Sequence, residues 1–146
     1  MKVKDIVKQA VVITETDTFE TALKAMIDQQ TNTLLVTNEK GELVGEVTVA
    51  DFFDAVVPDT LNGNEVMSHF DSDEAFVSSI EIAKNIPVGE FMSFDFSPLT
   101  LEDDLISIVG TAIAHQRARI PVVDSDNRPV GIIARQGLKK ILAIFL

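Results

Sequence analysis

One pattern is written twice in this chain. GELVGEVTVADFFDAV (residues 41–56) returns as NRPVGIIARQGLKKIL (127–142), so Gly45 recurs as Gly131 at an offset of 86 residues. The offset extends upstream, where ITETDTFETALKAMI (13–27) lies over LTLEDDLISIVGTAI (99–113). Phe19, Ala22, Leu23, Met26 and Ile27 fall at helix spacing, and Leu105, Ile108, Val109, Ala112 and Ile113 repeat the stripe. NTLLVTNEKGELVGEV and ARIPVVDSDNRPVGII each read as two short apolar strands around a polar hairpin turn. Each copy therefore predicts strand, helix, two strands and a second helix, after a similar lead, VKDIV (3–7) or VGEFM (88–92). A half of this size hardly covers both faces of its own small sheet, so the halves must pack on each other. The expected fold is α/β (α+β): two β-α-β-β-α repeats, residues 1–57 and 88–146, about a pseudo-twofold axis. The connector, 58–87, carries its own helix from about Asp73 to Lys84, with Phe76, Ile80 and Ala83 on one face.

Composition removes several classes of function. At 46% hydrophobic, the 146 residues supply a packed interior, yet no apolar run approaches the ~20 residues of a membrane-spanning helix. MKVKDIVKQA lacks the apolar region of a secretory signal, and a cytoplasmic location with no membrane partner is expected. The absence of cysteine excludes disulfides and thiolate metal sites. A net charge of −11 argues against a nucleic-acid surface, which needs clustered cations. The distribution is uneven. Residues 1–57 carry 5 Lys/Arg against 10 Asp/Glu, and residues 58–87 carry 1 against 6. Residues 88–146 carry 6 against 7, and all six cations lie between Arg117 and Lys140.

The duplicated pattern, with RIPVVDSDNRPVGII (119–133) and GEVTVAD (45–51), resembles a tandem pair of cystathionine β-synthase (CBS) domains, a Bateman module. GEVTVAD matches the family pattern Gly-x-x-Thr/Ser-x-x-Asp. The resemblance implies a regulatory module, not an enzyme, with AMP, ADP, ATP or S-adenosylmethionine bound in a cleft between repeats and no required cofactor. It places Thr48 and Asp51 on the ribose or a phosphate oxygen, and brings Ser97 and Arg117–Ala118–Arg119 from the other repeat towards them. Arg135 is a weaker candidate for the same anion. Read from the residues alone, Thr48 and Asp51 also form a capping box at a helix start. The readings are compatible, because a helix N-terminus presents free N–H groups and a carboxylate accepts both hydroxyls of a diol. In the second copy Thr48 becomes Ala134 and Asp51 becomes Gly137, and the facing TNT (31–33) brings no cation. One binding site is expected.

Other clusters carry less. His69, Asp71, Asp73 and Glu74 suggest a metal site, but one nitrogen ligand among acids reads better as an ordinary helix start. His115 is expected to meet the carbonyls at a helix end. No Ser–His–Asp spacing is evident, and nucleophilic catalysis is not expected. The resemblance also implies a flat homodimer, with Phe52, Phe53 and Val56 of one helix and Ile141, Leu142 and Phe145 of its counterpart supplying the apolar face. A regulated protein partner would be of unknown identity. The alternative function is a structural or protein-interaction dimer module with vestigial ligand sites.

Overall fold

The computed structural model describes residues 1–57, 62–70, 72–115 and 119–146. In the first repeat β1 (Val12–Thr14) leads to α1 (Phe19–Asp28), followed by β2 (Thr33–Thr37), β3 (Leu43–Thr48) and α2 (Val49–Val56). The connector holds a short α3 (Gly63–His69), which the sequence reading did not anticipate, and α4 (Asp73–Ala83). The second repeat supplies α5 (Leu105–His115), β4 (Ile120–Val123), β5 (Pro129–Ile133) and α6 (Arg135–Ile144). Its first strand is reduced to one parallel bridge, Leu99 to Val122, hemmed between Pro98 and a turn at 101–102.

The duplication is visible in the hydrogen-bond register. β2 lies parallel to β1 and antiparallel to β3, with Leu34 opposite Val47; in the second sheet Ile120 stands opposite Ile133, the same pair 86 residues on. The hairpin turns agree as well. Each needs one residue in the left-handed region, supplied by Gly41 (φ 80°) and by Asn127 (φ 61°).

The leads are exchanged. Val3–Asp5 and Val88–Glu90 each form a single 3-10 turn. Val3 is buried in the core of the second repeat with Leu99, Ile108, Ile120, Ile133 and Ile141. Val88 is buried in that of the first, with Ile13, Phe19, Leu34, Val47 and Phe52. Phe91 joins Phe19 and Phe52 there in a cluster with ring centroids 5.0–5.7 Å apart. Beyond each turn the lead bridges the last strand of the other repeat, Lys8 on Ile132 and Ser93 on Glu46. These crossings explain why both Val-Gly pairs persist. A Cβ at Gly45 would lie 2.5 Å from the Met92 sulfur, and one at Gly131 would run into the Lys8 carbonyl oxygen.

Between the sheets, Leu35, Leu43, Val123 and Ile132 form a third cluster. The Asn127 carbonyl accepts the Leu43 N–H at 2.8 Å and ties the second turn to the first sheet. The connector helix starts where Ser72 accepts the Ala75 N–H, packs on α2, and ends with Ala83 in the first core. The helix stripes are only partly buried: Phe19, Ala22, Met26 and Ile108 face the cores, while Ile27 and Ile113, an equivalent pair, face outward.

Candidate functional site

Thr48 ends β3 and caps α2, which places Asp51 at the third helical position. The Thr48 N–H and hydroxyl donate to Asp51 Oδ2 at 2.7 and 3.2 Å. A third donor comes from the other repeat: the Ser93 hydroxyl reaches Asp51 Oδ1 at 2.6 Å. Ser93 is held there by paired backbone bonds with Glu46, at 2.8 and 3.0 Å. Asp51 is only 7% exposed. The carboxylate is thus both the helix-start residue expected from its spacing and a contact across the repeat boundary.

Asp51 lies at the edge of a cavity of about 400 Å³, walled by Asp54 and Ala55 of α2, by Ile86 at the connector's end and by Glu90, Phe91 and Met92 of the exchanged lead. Among the described residues the lining brings three carboxylates and no Lys or Arg. Such a field repels phosphate and favours a neutral or cationic group, with Phe91 and Met92 offering apolar contact.

Ser97 and Arg119 meet elsewhere. They line a second hollow with Phe96, Thr111 and His115, too narrow to admit a water molecule. Contrary to expectation, His115 does not turn to the helix carbonyls. Its Nδ1 lies 2.9 Å from Asp95 Oδ1 and its Nε2 lies 2.9 Å from Ser97 Oγ. Thus an Asp–His–Ser chain does exist, hidden from the sequence because it joins residues 18 and 20 positions apart. The chain ties the end of α5 to the extended segment before Leu99. Among the described residues no hydrogen bond links this group to Asp51.

Arg135 opens α6 and is exposed. Its neighbour Ala134 brings no hydroxyl, and Gly137 is buried, with a Cβ position 3.5 Å from the Ile6 carbonyl oxygen. The first lead passes in van der Waals contact with the place where a second Asp would stand. In the TNT segment the Thr31 hydroxyl is spent on the Thr33 carbonyl. Arg117 and Ala118 lie outside the described residues, as does Asp71 of the acidic cluster. His69 stacks edge-on against Phe70. Among the described residues no group of three His, Asp or Glu side chains is arranged to hold a metal ion, and no helix is long and apolar enough to cross a membrane. Sequence reasoning missed Ser93, Asp95 and the fully buried Glu46; the one signal was Glu46 itself, a charge inside an apolar strand.

Two sheet-and-helix repeats, each closed by the other's lead, with a capped carboxylate at the crossing, define a tandem regulatory-domain fold. The CBS domain family model matches residues 3–58 and 88–144, and the chain belongs to that family, carrying two copies. No curated protein matches it. Among solved structures it is similar to the CBS domain of a CBS domain-containing membrane protein from Sphaerobacter thermophilus. That likeness has 28% identity over 97% of this chain and 87% of the other, with a TM-score of 0.76. A CBS domain-containing protein of unknown function from Bacillus anthracis shows 19% identity, covering 100% and 95%, with a TM-score of 0.78. The CBS domain pair of protein MJ0100, solved in complex with methylthioadenosine and S-adenosylmethionine, shows 19% identity over 100% and 98%, with a TM-score of 0.73. These last two speak for the fold alone.

Proposed function

We propose that this CBS pair is a regulatory, non-catalytic module that senses an adenosine-type ligand in the Asp51 cavity. The observation that carries the reading is the buried Asp51 carboxylate, which already accepts a hydroxyl, from Ser93, at the rim of a cavity of about 400 Å³. A ribose diol offers the same donor type. Of the family's ligands, the cavity's three carboxylates favour S-adenosylmethionine or methylthioadenosine over AMP, ADP or ATP, and the complex of the MJ0100 pair supports that choice. Thr48 holds the carboxylate in place. Phosphate-bearing ligands would need Arg119 with Ser97, or Arg117, and Ser97 is bonded to His115 in a hollow too narrow to admit water. We further propose a homodimer, because large apolar side chains stand exposed on the helices of both repeats; a particle of 16.0 kDa in sedimentation equilibrium removes that reading.

Thermal shift and calorimetry with all five ligands test the reading. S-adenosylmethionine at a hundred times its dissociation constant should stabilise the fold by about 2.7 kcal/mol, with ATP weaker, and Asp51→Asn should abolish the response. No shift with any of the five would refute it. One observation favours a structural module instead: three internal donors already occupy Asp51. On that reading Asp51→Asn lowers stability and no ligand changes anything.

A further inference from the structure

A second chain of polar groups lies outside the Asp51 cavity. Asp95 and Ser97 stand two positions apart on the segment from Ser93 to Leu99, and both reach one ring at the end of α5, His115. The segment is tied at both ends. Ser93 exchanges backbone bonds of 2.8 and 3.0 Å with Glu46. The Leu99 N–H donates to the Pro121 carbonyl at 3.0 Å, and the Leu99 carbonyl accepts the Val123 N–H at 2.8 Å. Between the ties the Phe96 N–H closes a tight turn on the Phe94 carbonyl at 2.9 Å. Backbone held in this way sets the two side chains on the ring before any reagent arrives.

The inventory of donors and acceptors fixes which atom carries each proton. An ionised carboxylate only accepts, so His115 Nδ1, 2.9 Å from Asp95 Oδ1, must hold a proton. In a neutral ring the other nitrogen is then an acceptor, and the Ser97 hydroxyl must donate to Nε2, at 2.9 Å. This is the arrangement by which a histidine draws the proton from a serine while a carboxylate fixes the tautomer. Exposure suits the same roles. The His115 side chain is 22% exposed and mostly covered, whereas Ser97 is open to a reagent from solvent. Asp95 is 77% exposed, so water screens its hold on the ring and the serine reacts only with activated partners. The hollow beside Ser97 houses no chain of atoms, which limits the group transferred to a short one.

We propose that Ser97 is an acyl-acceptor site, a nucleophilic hydroxyl that takes a short acyl group from an activated donor such as an aryl ester or a thioester. Ser97 Oγ forms a bond to the carbonyl carbon, and its proton passes to His115 Nε2. The bond from that carbon to the leaving group breaks, and the leaving group departs with the proton from His115. The products are an ester on Ser97 and a free phenol or thiol. A neutral acyl donor meets no repulsion from Asp95, as a phosphoryl donor would. The transfer modifies the chain itself and is independent of the ligand proposed for the Asp51 cavity. Once acylated, Ser97 has no proton to give the ring, and its bond to His115 is lost.

The probe is p-nitrophenyl acetate in mildly alkaline buffer, with samples quenched in acid at early times and the acetylated positions mapped by mass spectrometry. The chain has no cysteine or tyrosine, so amines and ordinary hydroxyls are the competitors. Acetyl should appear on Ser97 ahead of every other serine and threonine. Ser97→Ala should remove that label, and His115→Gln should slow it by about 100-fold with the far-ultraviolet dichroism unchanged. Acetyl confined to lysines overturns the proposal, as does an unchanged rate at Ser97 in His115→Gln. Asp95 acts through the ring and has its own readout, which also serves if His115→Gln alters the fold. Long-range proton–nitrogen spectra should show the neutral His115 ring as the Nδ1–H tautomer. In Asp95→Asn the ring should become a mixture of tautomers and acetylation of Ser97 should slow. A ring protonated on Nε2 in the unaltered chain makes Ser97 the acceptor and overturns the assignment.

Discussion

Alanine at Gly131 and alanine at Gly45 are the same chemical change at equivalent points of the duplication, yet they should cost very different amounts. At Gly131 the new methyl runs into the Lys8 carbonyl oxygen and lies 2.6 Å from Val7 Cγ2. Lys8 is backbone, pinned to Ile132 by two hydrogen bonds of 2.8 Å. Moving it loses both bonds, about 1 kcal/mol each, and overpacking adds about 1–3 kcal/mol, for a total of about 3–5 kcal/mol. At Gly45 the methyl meets the Met92 sulfur at 2.5 Å and its Cγ at 2.8 Å. A thioether with three rotatable bonds can swing aside, so about 1–2 kcal/mol is expected. The gain from stiffening the unfolded chain, about 0.4–1 kcal/mol, applies to both and cancels in the comparison. Urea unfolding followed by fluorescence-free probes, far-ultraviolet dichroism and one-dimensional NMR, gives both values if the transitions coincide. Met92→Ala should rescue Gly45→Ala and do nothing for Gly131→Ala. Equal costs at the two glycines would refute the claim that backbone crosses one and a side chain the other.

Two further predictions follow from the same geometry. Val3→Ala should cost about 2 kcal/mol and lower hydrogen-exchange protection first in β4, β5 and α6, although Val3 precedes β1; loss that begins in β1–β3 would contradict the exchange of leads. Asp104 at the start of α5 accepts the Ser107 N–H and hydroxyl at 3.0 and 2.9 Å, bonds that hold its carboxyl below the ordinary value. A depressed carboxyl contributes stability that is present above its unfolded pKa, about 3.9, and lost as pH falls through the folded value. Asp104→Asn should therefore lower the urea midpoint at pH 7 and flatten its decline below pH 4, whereas parallel curves down to pH 2.5 would count against the capping role.

What was legible in the sequence was whatever repeats locally. The strand–helix–strand–strand–helix order, the hairpin turns and the connector helix rest on spacings of two to four residues, and each is present except the first strand of the second repeat, which is reduced to one bridge. Thr48 and Asp51 were readable because a capping box is a local motif. Ser93 was not, because it meets Asp51 from 42 residues away, along a lead that crosses into the other repeat. Helix periodicity could not separate Phe52 from Phe53, because the side that faces the core depends on where Phe19 and Phe91 arrive. For the same reason His115 was placed on its own helix end, when Asp95 and Ser97 approach it from outside that helix.

The exchange of leads also explains why the polar pair survives once while the glycine survives twice. Both glycines are needed because both leads cross. Past the crossing the leads diverge: the first passes beside Gly137 in van der Waals contact, while the second turns Ser93 onto Asp51 and leaves a cavity beside it. Ile86, Glu90, Phe91 and Met92, which wall the cavity, belong to the segment that directly follows α4, and Phe76 and Ile80 of α4 wall an apolar groove against α1 and α2. Ala83 at the end of α4 is buried in the same core as Val88, so the cavity wall and one wall of the groove meet in that core.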